Sequence, residues 1–387
     1  MTEPSQRQFV SMLRSWAEAR NEPSWLIDQR THAALNMSPS RIDELGNEEW
    51  PILPTGASLG RIKQPQHREL QDLGGTSTPL HAPEALPAIE GFANPLLRRW
   101  STSLATRALA IWEDGLFLHV PQHKETTISL DLFPHHLGEA NVVRHVIVLE
   151  PGCRVQIIEG CIAPRYINHG PELVTVELFL HENCFVEYFS LSHRTGQHQR
   201  NILRSTWVAN GSHLRFTDCT LTSDQEHHDS HLNLHGNDAS VDWHSFQWAQ
   251  ESGRSTHMFQ ALQLGNHSES NIQIHNMASD QASSHTDCQV DLEAVQGTTT
   301  SRISLATLST DPSATATHRV DGPQSNDEFI CEGQPHQSVH IENPELLNTK
   351  VSDEVEDFVR PSIQRLPQDI GVELSEIVRR GLSGPIR

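Results

Sequence analysis

Apolar and polar residues alternate in short segments that recur along the middle of the chain. Each segment follows one template: an apolar residue, a polar one, an apolar one, a variable one and a mostly polar one. Six segments fit, beginning at Val155, Val186, Leu214, Val241, Ile272 and Ile303, with steps of 31, 28, 27, 31 and 31 residues. A period of two is typical of a half-buried β-strand, because successive side chains point to opposite faces.

The recurrence of this template predicts the architecture. A repeat of roughly 20–50 residues marks supersecondary units that stack, since one unit is too small to bury its own apolar face. We therefore expect a mainly β fold whose core is a β-helix or β-solenoid of about six coils. Residues in the same phase of the template are expected to lie above one another in neighbouring coils.

Both ends of the chain have helical spacing instead. Near the N-terminus an apolar stripe is formed by Phe9, Met12, Leu13 and Trp16. The stretch Asn21-Glu-Pro interrupts this helix, because proline does not fit inside one. The same spacing returns in residues 351–382. Helices at the two ends can cover the open coils of a solenoid.

These patterns divide the chain into four parts. We expect an N-terminal helical segment (1–50), a proline-rich linker (51–100), the β-helix core (101–342) and a C-terminal helical segment (343–387). Within the core the strand pattern is expected to begin at Leu104, include residues 109–112 and weaken after Leu308. Residues 311–340 are polar and irregular in pattern.

Composition limits the possible functions. The formal charge of −21 argues against general binding to nucleic acid or to anionic membranes, both of which need a basic surface. We find no basic N-terminal run followed by an apolar stretch, and no apolar window long enough for a membrane helix. Six cysteines in 387 residues are too sparse for a disulfide framework. We expect a cytoplasmic protein.

Several longer motifs carry a resemblance. The chain contains Asp114-Gly-Leu-Phe-Leu-His-Val-Pro, Arg144-His-Val-Ile-Val-Leu-Glu-Pro-Gly-Cys and then Glu159-Gly-Cys-Ile-Ala-Pro. Further on come His285-Thr-Asp and Thr299-Thr-Ser-Arg. Together with Asn21-Glu-Pro-Ser-Trp-Leu, these stretches resemble the SufB/SufD family of iron–sulfur cluster assembly proteins.

The resemblance implies a β-helix core and a SufD-like, non-enzymatic scaffold subunit that pairs with a SufB-type subunit and a SufC-type ATPase. It also implies a transient iron–sulfur cluster. Cys161 lies where SufB-type members place a cysteine implicated in sulfur handling. The family's Cys-x-His motif near the end of the core has no close copy here, and Cys331 and His336 are the nearest match.

The repeat itself suggests two stacked pairs of side chains. Cys153 and Cys184 share a phase, so they could bind a metal together, form a disulfide on oxidation or simply stack as buried thiols. By the same arithmetic His244 and His275 are expected to stack, as metal ligands or by chance. The cluster from His227 to His231 is interpreted as a solvated loop between strands.

Two other functions remain open. The chain could be a diverged β-helix paralogue that binds partners without cluster chemistry. It could also be a carbohydrate-active β-helix enzyme using carboxylates such as Glu187, Asp218 and Asp242. We find no phosphate-binding loop of the Gly-x-x-x-x-Gly-Lys-Ser/Thr type, so ATP hydrolysis is assigned to a partner.

Overall fold

Two parallel β-sheets, joined coil by coil, make up most of the described chain. The computed structural model describes residues 3–36, 76–80, 85, 103–113, 115–131, 141–163, 172–194, 199–292, 300–309, 315–321 and 328–333. The strands are β1 (Thr76–Pro79), β2 (Leu116–Val120), β3 (Glu125–Asp131), β4 (Asn141–Leu149), β5 (Arg154–Ala163), β6 (Glu172–Leu180), β7 (Phe185–Arg194), β8 (Gln199–Val208), β9 (His213–Thr222), β10 (Gln225–Leu234), β11 (Ser240–Ala249), β12 (Arg254–Gln263), β13 (Glu269–Ala278), β14 (Ser283–Leu292), β15 (Thr300–Ser309), β16 (Thr315–Asp321) and β17 (Glu328–Gly333).

Successive strands alternate between the two sheets. Sheet A contains β1 and the even-numbered strands β2 to β16, and sheet B contains the odd-numbered strands β3 to β17. Apart from β1, which pairs antiparallel with β2, neighbouring strands in each sheet are parallel. Each coil therefore adds one strand to each sheet. The predicted mainly β solenoid is confirmed.

All six template segments lie in sheet B, in β5, β7, β9, β11, β13 and β15. The pairing places Val155 beside Val186, and Val186 beside Leu214, as the template predicts. One step is wrong: Val241 pairs with Ser270, whereas Ile272 pairs with Trp243. That coil has 29 residues, and a shift of two residues goes unnoticed because it leaves the alternation of faces unchanged.

Aromatic side chains stack along the interior of sheet B. The ring centroids of Tyr188 and Phe216 are 4.7 Å apart, and those of Phe216 and Trp243 are 4.0 Å apart. Each ring comes from the same register position of the next strand. This stack forms part of one apolar core that runs along the solenoid between the two sheets.

Three helices are described: α1 (Glu3–Ala19), α2 (Ser24–Leu35) and α3 (Ser103–Ile111). The predicted break between the first two is confirmed at Asn21, whose φ of 54° ends α1. Helix α2 packs on α3, which in turn contacts β4 and β6 of sheet A. The apolar outer side chains of these strands, such as Val146 and Phe179, are buried in this contact.

A buried arginine fixes the N-terminal helices to α3. The Arg30 guanidinium, fully buried, lies 4.9 Å from the ring centre of Trp16 and 4.2 Å from that of Trp112. It pairs with Glu22 at 2.7 Å and donates to the carbonyl oxygens of Ala110 and Trp112 at 3.0 Å. These carbonyls lie at the end of α3, where helical partners run out.

Several predictions outside sheet B need correction. Residues 104–112 were expected to begin the strands, but Ser103–Ile111 is a helix whose apolar residues recur with a period near 3.6. The predicted linker includes β1, and the region 311–340 includes β16 and β17. The predicted C-terminal helices lie outside the described residues.

Candidate functional site

The interior of the solenoid is divided lengthwise into an apolar half and a polar half. In sheet B the inward side chains are apolar early in each strand and polar later, as in β7, where Tyr188 is followed by Ser190 and Ser192. The first halves of the sheet A strands also contribute polar inward side chains. We call the following set the interior polar array: Glu159, Tyr188, Ser190, Ser192, Asp218, Ser245 and Gln247 from sheet B, and Glu172, Arg200, Arg204, Glu226, His228, Ser230 and His257 from sheet A.

Every member of the array is at most 3% exposed. Burying charged groups is unfavourable unless they are paired and hydrogen-bonded, so their arrangement has to supply partners. The array supplies many of these partners by joining residues of different coils and of the two sheets, although some buried polar atoms, such as Arg204 Nε and His228 Nε2, make no hydrogen bond within the described structure.

Arg204 is the first centre of the array. Its guanidinium reaches across from sheet A to Glu159 and to Ser190 Oγ, each at 2.8 Å, and lies 3.9 Å from Asp218. Tyr188 donates a short hydrogen bond to the other oxygen of Glu159. Arg204 thereby links its own strand to β5, β7 and β9 of the opposite sheet.

The charges at this centre stabilise one another. Burial opposes ionisation of Glu159, but the positive charge of Arg204 and the Tyr188 hydrogen bond outweigh it, so the pKa of Glu159 falls below its ordinary value. Burial likewise opposes the charge of Arg204, yet Glu159 and Asp218 raise its pKa. Burial, together with the adjacent Glu159 charge, raises the pKa of Tyr188 well above its ordinary value. Arg204 and Glu159 are therefore a charged pair, and Tyr188 is a neutral donor.

Arg200 is the second centre. Its Nε lies 3.3 Å from Glu172, and its Nη1 lies 3.8 Å from Glu226. Ser192 Oγ accepts from Arg200 at 3.2 Å and donates to Glu226 at 2.8 Å. The members of this second group thus interact with one another across neighbouring coils.

His228 connects the two centres. Its Nδ1 lies 3.3 Å from Arg204 Nη1, and its Nε2 lies 3.8 Å from Glu226. Because a guanidinium can only donate, Nδ1 is the acceptor and Nε2 carries the proton. The imidazole therefore directs its N–H towards Glu226.

His257 extends the array by one coil. Its Nε2 lies 3.1 Å from Ser230 Oγ, and its Nδ1 makes a short contact with the amide of Gln247. Burial, with contributions from His228 and Arg204, lowers the pKa of His257 well below its ordinary value. It is a neutral hydrogen-bonding group at neutral pH.

The array could orient small polar groups or relay protons, but its chemistry does not match that of a metal centre. Within the described ranges, we find no group of three or more His, Cys, Asp or Glu side chains arranged to hold a metal ion. The same part of the chain contains no helix long and apolar enough to cross a membrane.

Four cysteines have described side chains, and all are buried: Cys153, Cys184, Cys219 and Cys288. Burial raises the pKa of Cys153 and Cys219, and it raises that of Cys184 to about 11. The thiolate is the form that binds metals and attacks sulfur, so these three side chains are poor cluster ligands in the folded protein.

Cys153 and Cys184 lie in neighbouring coils. Cys153 immediately precedes Arg154 and Cys184 immediately precedes Phe185, and these two strand residues are paired in register. Their thiols donate to carbonyl oxygens, Cys153 to Pro121 at 3.1 Å and Cys184 to Glu150 at 3.2 Å. Both are at most 2% exposed. Of the three alternatives open in the sequence, this geometry fits the buried pair of thiols at a turn.

The other predicted pair and cluster are placed differently. His244 pairs with Gln273, and His275 pairs with Phe246, so the two histidines are offset by two residues and the predicted stacking is wrong. The histidine cluster is not a loop, because residues 225–234 form β10 and His228 is completely buried. The loop interpretation failed because the template located only the strands of sheet B, so the cluster, which lies in a sheet A strand, was placed between strands.

Three residues were proposed for cluster or sulfur handling. Two of them lie in strands near the end of a described range, and the third lies outside the described residues. Cys161 is in β5 and pairs with Ser192, a member of the array. Cys331 is in β17 and pairs with Ile303, whereas His336 lies outside the described residues.

The carboxylates considered for a carbohydrate-active enzyme are not gathered on one face. Asp218 is fully buried in the interior array. Glu187 and Asp242 are partly exposed on the other face of sheet B, where they pair with Arg215 at 2.9 Å and His213 at 3.6 Å. A sheet separates Asp218 from the other two, which disfavours a shared acid–base role.

Sequence reasoning missed most of the array, including Arg200, Arg204, Glu226 and His257. One signal was available in the sequence. These residues lie on sheet A strands midway between the template segments, and Arg200, Glu226 and Ser255 share one register position. A search for a polar repeat between the apolar ones would have found them.

Comparison with known proteins agrees with this architecture. Residues 135–318 match the family model described as "SUF system FeS cluster assembly, SufBD core domain". This match covers the coils that contain the interior polar array. The fold and the match together define a β-solenoid protein with a SufBD core domain.

Curated relatives extend the comparison. An iron–sulfur cluster assembly SufBD family protein of Pyrococcus horikoshii is 33% identical over 94 residues, which is 24% of this chain and 21% of that protein. One of Staphylococcus haemolyticus is 24% identical over 118 residues, or 30% of this chain and 25% of that protein. The aligned stretches thus span about a quarter or less of these relatives. Residues 135–318, just under half of the chain, are thus similar to the SufBD core domain, and the curated relatives carry the name of the SufBD family.

Proposed function

We propose that the chain is a non-enzymatic, SufD-like scaffold subunit for assembling iron–sulfur clusters, in a complex with a SufB-type subunit and a SufC-type ATPase. The observation that carries this proposal is the SufBD core domain, which spans the coils around the interior polar array. The curated relatives are named for iron–sulfur cluster assembly. The same role is proposed for this chain.

The chemistry of the interior supports a scaffold role. Arg204, Glu159 and Asp218 are held by one another, and the thiol pKa of Cys184 is about 11. Groups locked in this way stabilise a rigid body better than they serve a reaction cycle. A rigid solenoid suits a subunit that positions its partners.

We further propose that sulfur passes through Cys161, with the nascent cluster as cargo of the complex. Cys161 pairs in register with Ser192, whose hydroxyl bridges Arg200 and Glu226. This role rests on the resemblance of the Glu159-Gly-Cys-Ile-Ala-Pro stretch to SufB-type members. Cys219, by contrast, has Asp218 beside it and a pKa raised by burial, so it is a poor source of thiolate.

The proposal is tested by co-expression with SufB-type and SufC-type partners, followed by affinity purification. Co-purification of all three chains in fixed proportion is expected. Anaerobic reconstitution with iron and sulfide, read by visible absorption, then compares the complex containing Cys161→Ser with one containing Cys219→Ser. A loss of absorption confined to Cys161→Ser supports sulfur handling there, and equal absorption in both removes that role.

A second function is favoured by the described thiols Cys153, Cys184 and Cys219, whose pKa values are raised by burial, so that they are poor cluster ligands. In this alternative the chain is a protein-interaction module without cluster chemistry. It predicts that partners co-purify but that cluster content is the same with Cys161→Ser. If neither the SufC-type ATPase nor a SufB-type chain co-purifies, the SufD-like assignment fails.

A further inference from the structure

Where α3 packs on sheet A, several buried nitrogen and oxygen atoms have no hydrogen-bond partner within the described part of the chain. They are Nη1 and Nη2 of Arg144, Nε1 of Trp112, Oγ1 of Thr175 and Oε2 of Glu177. Each of these four side chains is at most 1% exposed, so bulk water does not supply the missing partners. Because an unpartnered buried polar atom destabilises the folded chain, five of them in one place point to a bound water, ion or ligand.

The local structure brings these four residues together. Arg144 in β4 and Thr175 in β6 are paired in register on the outer face of sheet A, and Glu177 is two residues further along the same face. The guanidinium carbon of Arg144 lies 5.9 Å from the ring centre of Trp112, the residue that follows α3. Nε of Arg144 donates to Oε1 of Glu177 at 2.6 Å. The two terminal nitrogens of the guanidinium are therefore left for another partner.

Donors dominate this group of atoms. The guanidinium of Arg144 and the indole N–H of Trp112 can only donate, and the Thr175 hydroxyl can donate as well. Oε2 of Glu177 is the single carboxylate acceptor among the five atoms. A water molecule would bring two more hydrogens that need acceptors of their own, whereas an oxyanion brings acceptors alone. The donor set therefore fits an anion better than water.

The surrounding charges also favour an anion. Two arginines lie against the indole of Trp112, since the guanidinium carbon of Arg30 is 4.2 Å from its ring centre and that of Arg144 is 5.9 Å from it. Glu22 balances the charge of Arg30. Glu177 balances Arg144 less well, because burial outweighs the attraction of Arg144 and raises the pKa of this carboxyl above its ordinary value. A further negative charge would complete the balance.

We propose that a small carboxylate-type monoanion binds between α3 and sheet A, on Nη1 and Nη2 of Arg144, with Trp112 Nε1 and Thr175 Oγ1 as further donors. The two terminal nitrogens form a fork that matches the two oxygens of a carboxylate. A single charge is favoured because each buried charge adds a desolvation penalty.

The ligand is a free ion rather than one group of a larger molecule, because all of its donors are sealed from the surface. In this position it joins the end of α3 to β4 and β6. The inference stands on the donor set and does not rest on the proposed scaffold function.

Thermal unfolding of the full chain tests this inference, with formate as the probe. The midpoint is measured by circular dichroism in sodium formate and in sodium chloride at the same pH and ionic strength. A ligand that binds only the folded chain raises the midpoint by mass action. We expect a higher midpoint in formate, with a difference that grows with the formate concentration.

Two conservative variants locate the bound ion. Trp112→Phe removes the indole N–H and keeps an aromatic ring, and Thr175→Val removes the hydroxyl and keeps the shape. Each should lose more than half of the formate-dependent shift. The matched control is Trp243→Phe, which removes another buried indole N–H that has no described hydrogen-bond partner, but in the interior stack of sheet B. It should keep the full shift.

A second measurement does not depend on stability. Carbon-13 NMR of labelled formate should show one bound formate per chain in the wild type and in Trp243→Phe, and none in Trp112→Phe. Equal midpoints in the two salts and no bound signal in the wild type would overturn the proposal. A formate-dependent shift that persists in full in both Trp112→Phe and Thr175→Val would place the ion elsewhere and would overturn it as well.

Discussion

Arg204 of sheet A and Glu159 of sheet B meet at 2.8 Å in the interior of the solenoid, with less than 5% of either side chain exposed. The pair spans the two sheets, because β8 belongs to sheet A and β5 to sheet B, and β6 and β7 lie between them along the chain. Apolar contacts along the axis tolerate sliding of one coil on another, whereas a buried ion pair is satisfied in one register only. We therefore expect the array to help fix the register of the coils, in addition to the hydrophobic core.

Replacing Arg204 with Met leaves Glu159 and Asp218 in the interior without their cation. Breaking a buried pair in this way costs about 3–5 kcal/mol of unfolding free energy. Urea denaturation followed by circular dichroism measures the loss. The control is Arg215→Met, which breaks a partly exposed pair with Glu187 and should cost about 0–1 kcal/mol. Similar losses of unfolding free energy in the two variants would show that the interior pair contributes no more to stability than the partly exposed pair.

His257 of the array should make stability depend on pH. Burial lowers the pKa of His257 well below the ordinary 6.5, so the unfolded chain binds a proton there that the folded chain does not. Its contribution is therefore fully present above pH 6.5 and is lost as the pH falls below that value. The slope for one such group is at most about 1.4 kcal/mol per pH unit.

Urea midpoints measured between pH 5.5 and 7.5 test this expectation, and His257→Gln should flatten the decline below pH 6.5. His285→Gln, which replaces an exposed residue on the outer face of sheet A, is the matched control. A decline of equal slope in wild type and His257→Gln would assign the acid sensitivity to other groups, such as His227 and His275, whose pKa values are also lowered by burial.

The sequence analysis predicted sheet B well and sheet A poorly, and the reason is physical. In the first halves of β7 and β9 the inward positions hold apolar residues such as Val186 and Leu214, while outward positions such as Glu187 and Arg215 are polar, so alternation is visible. In β8 and β10 the inward positions hold Arg204 and His228. In the sequence, such polar residues look like positions exposed to solvent. In β6 both faces are buried, one of them beneath helix α3, and alternation disappears.

Register was harder to predict than strands. The template located β11 and β13, but it could not separate a coil of 29 residues from one of 31, and so it stacked His244 on His275 wrongly. The sequence analysis placed Cys153 and Cys184 correctly in adjacent coils, because the template gave the right length for the coil that separates them. Charge partners that cross the interior, such as Arg204 and Glu159, leave no trace in a local pattern.

The buried thiols should be chemically silent in the folded protein. Cys153 and Cys184 are sealed from solvent, and their raised pKa values leave little thiolate at pH 7.5. Alkylation with iodoacetamide, quantified by mass spectrometry, should therefore modify these cysteines at least a hundredfold more slowly in buffer than in urea. Rapid native labelling of Cys184 would mean that the turn opens and that the pair is available for metal or disulfide chemistry.

Arg30 should hold the N-terminal helices to the solenoid. The Arg30→Ala variant loses the pair with Glu22, the contacts with two tryptophan rings and the hydrogen bonds to the end of α3. We expect α1 and α2 to detach, because Glu22 and the α3 carbonyls lose their partner while sheet A keeps its own hydrogen bonds. Limited trypsin digestion should then cut within residues 7–20 at least tenfold faster, with the β-sheet circular dichroism signal preserved.

In Arg14→Ala, which removes an exposed contact with Asp28, cleavage at Arg20 should stay at the wild-type rate. If Arg30→Ala resists trypsin as well as Arg14→Ala does, the apolar contacts of α2 with α3 are sufficient and the arginine is dispensable.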